Sequence, residues 1–301
     1  MDFDELVWKG KVKRVFRAKR KITIPDIVSH ITQRAAGKEP LFLEDNDYLF
    51  MLAQLKEITR KRSLDIYAFC LMPNHVHLLA SPREDELQEP MRDLFSRYAM
   101  RFNTKYMRKG HLFAGPYRQA VCLDDAYLLA ASLYIHMNPV RAGLVSDPCN
   151  FQWSSVRVFH DLKSPDSFLK PGFILGLLGG DYETSKAIYL DLLMRSVQLD
   201  MEDALEQDDA IARFKKALAR FFPSLFSEVG DRKQISERTG VSLVDEEEIE
   251  RQITAETFPK GPRARKFLIQ QLIARGYKRR EIAERLHVSV KTVYNILHAR
   301  D

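Results

Sequence analysis

Two apolar runs separated by a Pro-Asn pair set the strongest constraint on what this chain can fold into. Leu64–Met72 (LDIYAFCLM) has the length and composition of a strand, Pro73-Asn74 supplies turn chemistry, and His75–Ala80 (HVHLLA) reads as the returning strand. Upstream, Ile22–Arg34 contains a β-like piece, Ile27-Val28-Ser29-His30-Ile31-Thr32. Leu43-Glu44-Asp45-Asn46-Asp47 then offers capping side chains to a helix over Tyr48–Arg62, in which Leu49, Met51, Leu52, Leu55 and Ile58 recur at helical spacing. Downstream, a helix is expected from about Glu89 to Arg108, with Pro90 tolerable in its first turn. Leu112–Leu123 reads as extended, and Asp124-Asp125 caps a further helix, expected to end near Asn138 because Pro139 opposes its continuation. The order strand, helix, two hairpin strands, helix, strand is a ferredoxin-like βαββαβ arrangement. It implies an α+β fold, an antiparallel sheet with helices on one face, and one extra helix to close it.

Composition excludes several alternatives. The 301 residues are 45% apolar and 10% aromatic, enough for real cores and inconsistent with wholesale disorder. No apolar run approaches the ~20 residues needed to cross a bilayer, and Met1-Asp2-Phe3-Asp4-Glu5 lacks the basic-then-apolar order of a secretory signal. Cys70, Cys122 and Cys149 are too widely spaced for a disulfide framework or a zinc cluster. The expectation is a cytoplasmic protein with reduced thiols and no membrane partner.

The formal charge of +6 divides unevenly along the chain. Residues 1–150 carry +5 (23 basic, 18 acidic), residues 151–250 carry −7 (12 and 19), and residues 251–301 carry +8 (12 and 4). Two basic ends flanking an acidic middle suggest a polyanion met at two places, although a charge run is also what a solvated face looks like. Four regions follow from these shifts. Residues 1–21 form a basic extension, with eight basic residues and no acid over Lys9–Lys21. Residues 22–158 hold the α+β domain. Residues 159–229 combine a Pro- and Gly-rich linker with acidic helices expected to act as spacers. Residues 230–301 form a second helical unit.

His75 and His77 alternate with Val76 and Leu78 on a strand, so both imidazoles share one face. Two imidazoles side by side on a rigid strand make half of a metal site. Spacing alone fits two hydrogen-bonded histidines near a sheet edge better, since His-x-His is common. Tyr134 and Asn138 lie four apart on the last helix, on one face and one turn from each other. That stacking places a phenol beside a carboxamide, yet it also suits a core aromatic and a helix C-cap before Pro139.

The segments CLMPNHVHLL and LYIHMNPVRAGLV, with HLFAGPYRQA between them, resemble the REP-associated tyrosine transposases, in the single-tyrosine branch of the HUH single-strand endonucleases. The likeness runs from about Ile22 to Ser155. It implies His75 and His77 as the paired metal ligands, Asn138 as the third, and Tyr134 as the nucleophile. The implied cofactor is a divalent metal, Mg²⁺ or Mn²⁺, although imidazoles also accept zinc. The implied reaction cleaves and rejoins single-stranded or hairpin-flanking DNA through a 5′-phosphotyrosine intermediate. Related enzymes include monomers and dimers, which leaves a homodimer open. Arg97, Arg101, Lys105, Arg108 and Lys109, along the long helix and its exit, are candidates for holding phosphates, and equally the residues of a solvated helix face.

Residues 278–297 read as a helix-turn-helix. Ile282, Leu286, Val288, Val293 and Ile296 fall where two helices pack, with Ala283 small at their crossing and His287 in place of the usual turn glycine. Lys291, Thr292, Tyr294 and Asn295 would face duplex DNA from the second helix. Gly261–Arg280 adds a basic approach suited to backbone contacts. A helical hairpin used only for packing would share this pattern. Three function classes therefore stand: a DNA strand-transfer enzyme, a non-catalytic DNA-binding transcriptional regulator that retains the fold, and a metal-dependent hydrolase with no covalent intermediate.

Overall fold

In the computed structural model, Pro73 and Asn74 turn the chain between strand β2 (Leu64–Met72) and strand β3 (His75–Pro82). The turn is held from outside: Leu41 N donates to Pro73 O at 2.6 Å and Ala35 N to Asn74 O at 3.0 Å. The structure describes residues 25–84, 87–122, 124–160, 167–199, 210–232, 234–239, 265–266, 268–269, 272 and 279–298. The basic run Lys9–Lys21 and most of the basic approach Gly261–Arg280 lie outside these residues.

Strand β1 (Ser29–Arg34) pairs antiparallel with β3 and with strand β4 (Arg118–Val121), giving the sheet order β2-β3-β1-β4. That is the ferredoxin-like order, with β3 and β1 central. Thr32 lies opposite His77 and Arg34 opposite His75 across the β1–β3 pair, while Cys70 and Met72 oppose the same histidines from β2. A shift of register between Ile66 and Ala68 leaves Tyr67 and Ala68 both on one side of the sheet.

Side-chain alternation sorts the strands between two layers. Ile31, Ile66, Phe69, Leu71, Val76 and Leu78 pack against helix α1 (Asp45–Lys61) and helix α2 (Gln88–Lys105). Val28, Ala68, Cys70, Met72 and Leu79 pack against helix α3 (Asp125–Arg141). The sheet thus has α1 and α2 on one face, as expected, and the extra helix α3 closes it on the other. The fully buried and mainly apolar β2 needs this, since a strand covered on both sides keeps no solvent face.

Local chemistry fixes the helix ends. The Glu44 carboxylate accepts from the Asp47 amide, and Asp47 Oδ2 accepts from the amides of Leu43 at 2.9 Å and Glu44 at 3.3 Å, closing a capping box on α1. Helix α2 stops at Lys105, short of the expected Arg108, because Met107 takes a left-handed conformation at φ 49°. The expected strand over 112–123 shrinks to Arg118–Val121, since the chain bends at Gly115, whose carbonyl receives Gln33 Nε2 at 2.9 Å. Helix α3 runs through Pro139 to Arg141 rather than ending near Asn138. The proline removes one donor near the helix end, and the last turn is closed without it: Gly143 at φ 67° donates to Val140 O and Leu144 donates to Pro139 O, both at 2.9 Å.

Beyond residue 150 come short α4 (Val156–His160) and α5 (Pro171–Gly176), then α6 (Tyr182–Ser196), α7 (Ala210–Phe221), α8 (Pro223–Asp231) and short α9 (Gln234–Thr239). Ile174, Tyr189, Leu193, Phe214, Leu218 and Phe226 share one core with α3. These helices are the outer layer over α3, not spacers, and α7 itself carries only basic charges, Arg213, Lys215, Lys216 and Arg220. Asp125 caps α9 from the start of α3, accepting from Gln234 N at 2.6 Å and Ile235 N at 2.9 Å. Lys215 of α7 pairs with the α3 N-cap Asp124 at 2.7 Å.

A separate small core joins Leu268, Ile269 and Leu272 to Ile282, Ala283, Leu286 and Val293, with Val288 and Ile296 packed against it. Helix α10 (Arg279–Arg285) and helix α11 (Val290–His298) form the expected helix-turn-helix pair. His287 occupies the turn at φ 49°.

Candidate active site

The histidine-bearing face of β3 looks at α3. Tyr134, Asn138 and Arg141 recur at i, i+4 and i+7 along that helix, so a single stripe carries a phenol, an amide and a guanidinium. The Tyr134 ring lies edge-on to the His77 ring with centroids 6.0 Å apart. His75 lies edge-on to His77 at 4.7 Å. The structure therefore brings together His75, His77, Tyr134 and Asn138, as the sequence predicted.

Hydrogen bonds select which ring nitrogens are available. Asn74 Oδ1 can only accept, so at 2.7 Å it places the proton of His75 on Nδ1 and leaves a lone pair on Nε2. His77 Nδ1 meets His30 Nε2 at 2.8 Å, with Thr32 Oγ1 3.3 Å from both nitrogens. When His77 donates in that contact, its Nε2 also presents a lone pair. That Nε2 is buried and has no hydrogen-bond partner, an arrangement a bound cation would satisfy. Asn138 Nδ2 is spent on Tyr134 O at 2.8 Å, which leaves its amide oxygen to act toward the histidines. Two imidazoles and an amide oxygen are a chemically sound donor set for a small divalent cation.

Burial sets the protonation states. Burial first, then His75 and Arg34, drives His30 down to about 3. Burial first, with His75, His30 and Arg34 adding to it, likewise holds His77 well below the usual histidine range, while Asn138 works weakly the other way. Both rings are neutral at pH 7, the form that ligates metal. Burial raises the Tyr134 phenol, and Arg141 and Arg34 pull it back down.

Sequence reasoning missed four neighbours. His30 stacks on His77 with centroids 5.0 Å apart, diagonal to it across the β1–β3 pair. Thr32, next but one on β1, shares their face, and the β1 alternation carried this signal. Arg141 and Phe214 had none that was local, because their place depends on how α3 and α7 pack. The Arg141 guanidinium lies 4.5 Å from the Phe214 ring centroid and 5.6 Å from that of Tyr134. Phe214 in turn lies 6.1 Å from Tyr134. With α7 in place Tyr134 is 2% exposed and Asn138 4%, so the site is closed.

The proposed phosphate-holding side chains on and after α2 do not join this site. Helix α2 lies on the opposite face of the sheet, and Arg97, Arg101, Lys105 and Arg108 are engaged within the chain. Arg97 pairs with Glu57 at 3.0 Å, Lys105 with Glu44 and Asp47 at 2.6 and 2.5 Å, and Arg108 with Glu39, while Arg101 stacks on Phe50 at 4.3 Å. Tyr98 and Tyr106 belong to that other layer as well. His136, inside the same motif as Tyr134, faces away, holding Tyr189 Oη and Ser155 Oγ at 2.8 Å each. On α11, Lys291, Tyr294 and Asn295 are exposed as expected. Thr292 is half-buried in the first turn, its amide donating at 2.9 Å to the hydroxyl of Ser289, which caps the helix.

Residues 23–138 match the family model described as "Transposase IS200 like", and residues 262–300 match a "Homeodomain-like domain". No curated protein matches the chain. Among solved structures, that of a REP-associated tyrosine transposase bound to a REP hairpin is similar over 50% of this chain and 90% of its own, at 16% identity and a TM-score of 0.44. No helix among the described residues is long and apolar enough to cross a membrane.

Proposed function

From the IS200-like transposase domain that this chain carries over residues 23–138, beside a homeodomain-like domain over residues 262–300, we propose a strand-transfer enzyme that cuts and rejoins single-stranded, hairpin-flanking DNA with Tyr134. The observation that carries this reading is one contact. A tyrosine on α3 lies edge-on to the buried His77 ring at 6.0 Å, with Asn138 one helical turn away.

His75, His77 and Asn138 would hold a divalent cation, Mg²⁺ or Mn²⁺. Once bound, such a cation polarises the scissile phosphate and steadies charge on the departing 3′ oxygen. The chain's own groups do the rest. The Tyr134 oxygen forms a bond to phosphorus, the bond from phosphorus to the 3′ oxygen breaks, the phenol proton passes to solvent, and the 3′ oxygen takes up a proton. The ester to Tyr134 keeps the bond energy, so a different 3′ hydroxyl can reverse the step. Burial keeps the His30 and His77 imidazoles neutral, so His77 would offer a lone pair to the cation and neither ring would repel it.

The C-terminal unit would hold duplex DNA through Lys291, Tyr294 and Asn295. A homodimer is consistent with this reading and not required by it. The regulator alternative shares the fold, but it gives no reason for a tyrosine, an amide and an orphaned imidazole nitrogen to converge.

The test is a labelled single-stranded oligonucleotide with a stem-loop, incubated with Mn²⁺ or Mg²⁺ and resolved under denaturing conditions. A denaturation-resistant adduct in wild type and none in Tyr134→Phe is the expected result. Binding without cleavage under any divalent metal would establish the regulator instead. Cleavage unaffected by Tyr134→Phe would point to metal-activated water.

A further inference from the structure

Three residues past the matched segment, Arg141 ends the stripe that carries Tyr134 and Asn138. Both of its terminal nitrogens are buried, and neither has a hydrogen-bond partner. A guanidinium carries five donors and no acceptor. Withdrawn from water, it ordinarily faces a carboxylate, because an unpaired buried charge is costly. Arg141 faces two rings instead, Phe214 at 4.5 Å and Tyr134 at 5.6 Å. Among the described residues it forms no ion pair, in contrast to Arg97, Lys105 and Arg108 on the far side of the sheet. Arg34, at the β1 end opposite His75, adds a second positive charge acting on the same phenol.

We propose that Arg141 is the residue that receives the scissile phosphate, with Phe214 occupying its face until DNA takes that place. A planar fork of N–H donors matches two phosphate oxygens, which the ring faces now covering Arg141 cannot do. Held there, the phosphate lies against the Tyr134 ring, and the same charge that binds it favours the phenolate. Burial lowers the affinity of the Arg141 side chain for its proton and Tyr134 favours it, as expected of a cation whose anionic partner arrives with the substrate.

The inference rests on Tyr134 as nucleophile, so its test separates the two. Binding is measured first, without cleavage, on a single-stranded stem-loop oligonucleotide over a series of salt concentrations, in Tyr134→Phe and in Tyr134→Phe with Arg141→Ala. The second protein should bind about tenfold more weakly, with a salt slope smaller by about 0.7, the contribution of one phosphate contact on a single strand. Arg141→Met, which keeps the packing against Phe214 and loses only the charge, should behave as Arg141→Ala does. Arg141→Lys should restore the slope. Adduct formation with Tyr134 present should fall about 10²–10³-fold in the alanine and methionine variants.

Unchanged affinity and slope in a folded Arg141→Met protein would overturn the proposal, even with wild-type adduct intact. No adduct from wild type, alongside a reduced salt slope in the arginine variants, would instead sink the Tyr134 reading and leave Arg141 as an anion site.

Discussion

At the scale of single residues, the site separates histidines by their partners. His77 keeps an orphaned Nε2, whereas His136, two residues after Tyr134, has both nitrogens occupied by Tyr189 and Ser155. The second is a structural histidine, and burial drives it down to about 3. Its sign follows directly: the unfolded chain takes up a proton near pH 6.5 and the folded chain does not, so stability is whole above that pH and falls as pH drops toward 3. Denaturant melts between pH 6.5 and 4 should show a loss of about 1.4 kcal/mol per pH unit from this residue, and His136→Gln should flatten the dependence by that amount. A His136→Gln protein with an unchanged pH slope would show that His136 titrates normally. Strand alternation and helical repeat put His75 with His77 and Tyr134 with Asn138, but only the resemblance of the motifs joined the two pairs into one site. Arg141 and Phe214 were not, since a guanidinium against two rings is set by how distant helices meet.

Among elements, the hairpin β2–β3 was fully legible: an apolar run, a Pro-Asn turn and a second run leave few alternatives. The ends of α2 and α3 were less so, for opposite reasons. Met107 halts α2 by a left-handed conformation that no rule assigns to methionine, while Pro139 fails to halt α3 because the lost donor falls where the helix is closing anyway. His287 is the reverse case. The sequence placed it where the helix-turn-helix usually has glycine, and it does adopt φ 49°. A side chain there is tolerated at a cost, so His287→Gly should leave the fold intact or stabilise it slightly. His287→Val, β-branched in the same turn, should destabilise the C-terminal unit by about 1–2 kcal/mol. Thermal melting of the two variants checks the ranking, and equal stability would mean that the turn does not need its left-handed residue.

For the whole molecule, the charge distribution acquires a different meaning. The acidic middle was expected to space two basic ends, yet α7 lies across α3, with Phe214 near Tyr134 and Lys215 tied to Asp124. The sequence suggested helices here but could not show which surface they cover. A buried tyrosine cannot meet a DNA backbone, so binding requires this cover to shift. Hydrogen exchange with and without a single-stranded stem-loop oligonucleotide should show residues 210–221 losing protection on binding, while α1 and α2 stay unchanged. Greater protection of 210–221 in the complex would mean that DNA enters by another route. The modular reading of the C-terminal unit carries its own expectation: deleting residues 260–301 should weaken duplex binding more than strand cleavage.

The central claim is that one named phenol becomes covalently joined to DNA. Tandem mass spectrometry of the tryptic peptide 119–141, after reaction with a single-stranded stem-loop oligonucleotide and Mn²⁺, tests it most directly, because that peptide holds both Tyr127 and Tyr134. The account predicts a nucleotide remnant on Tyr134 alone. A remnant on Tyr127, or on any tyrosine outside this peptide, would contradict it.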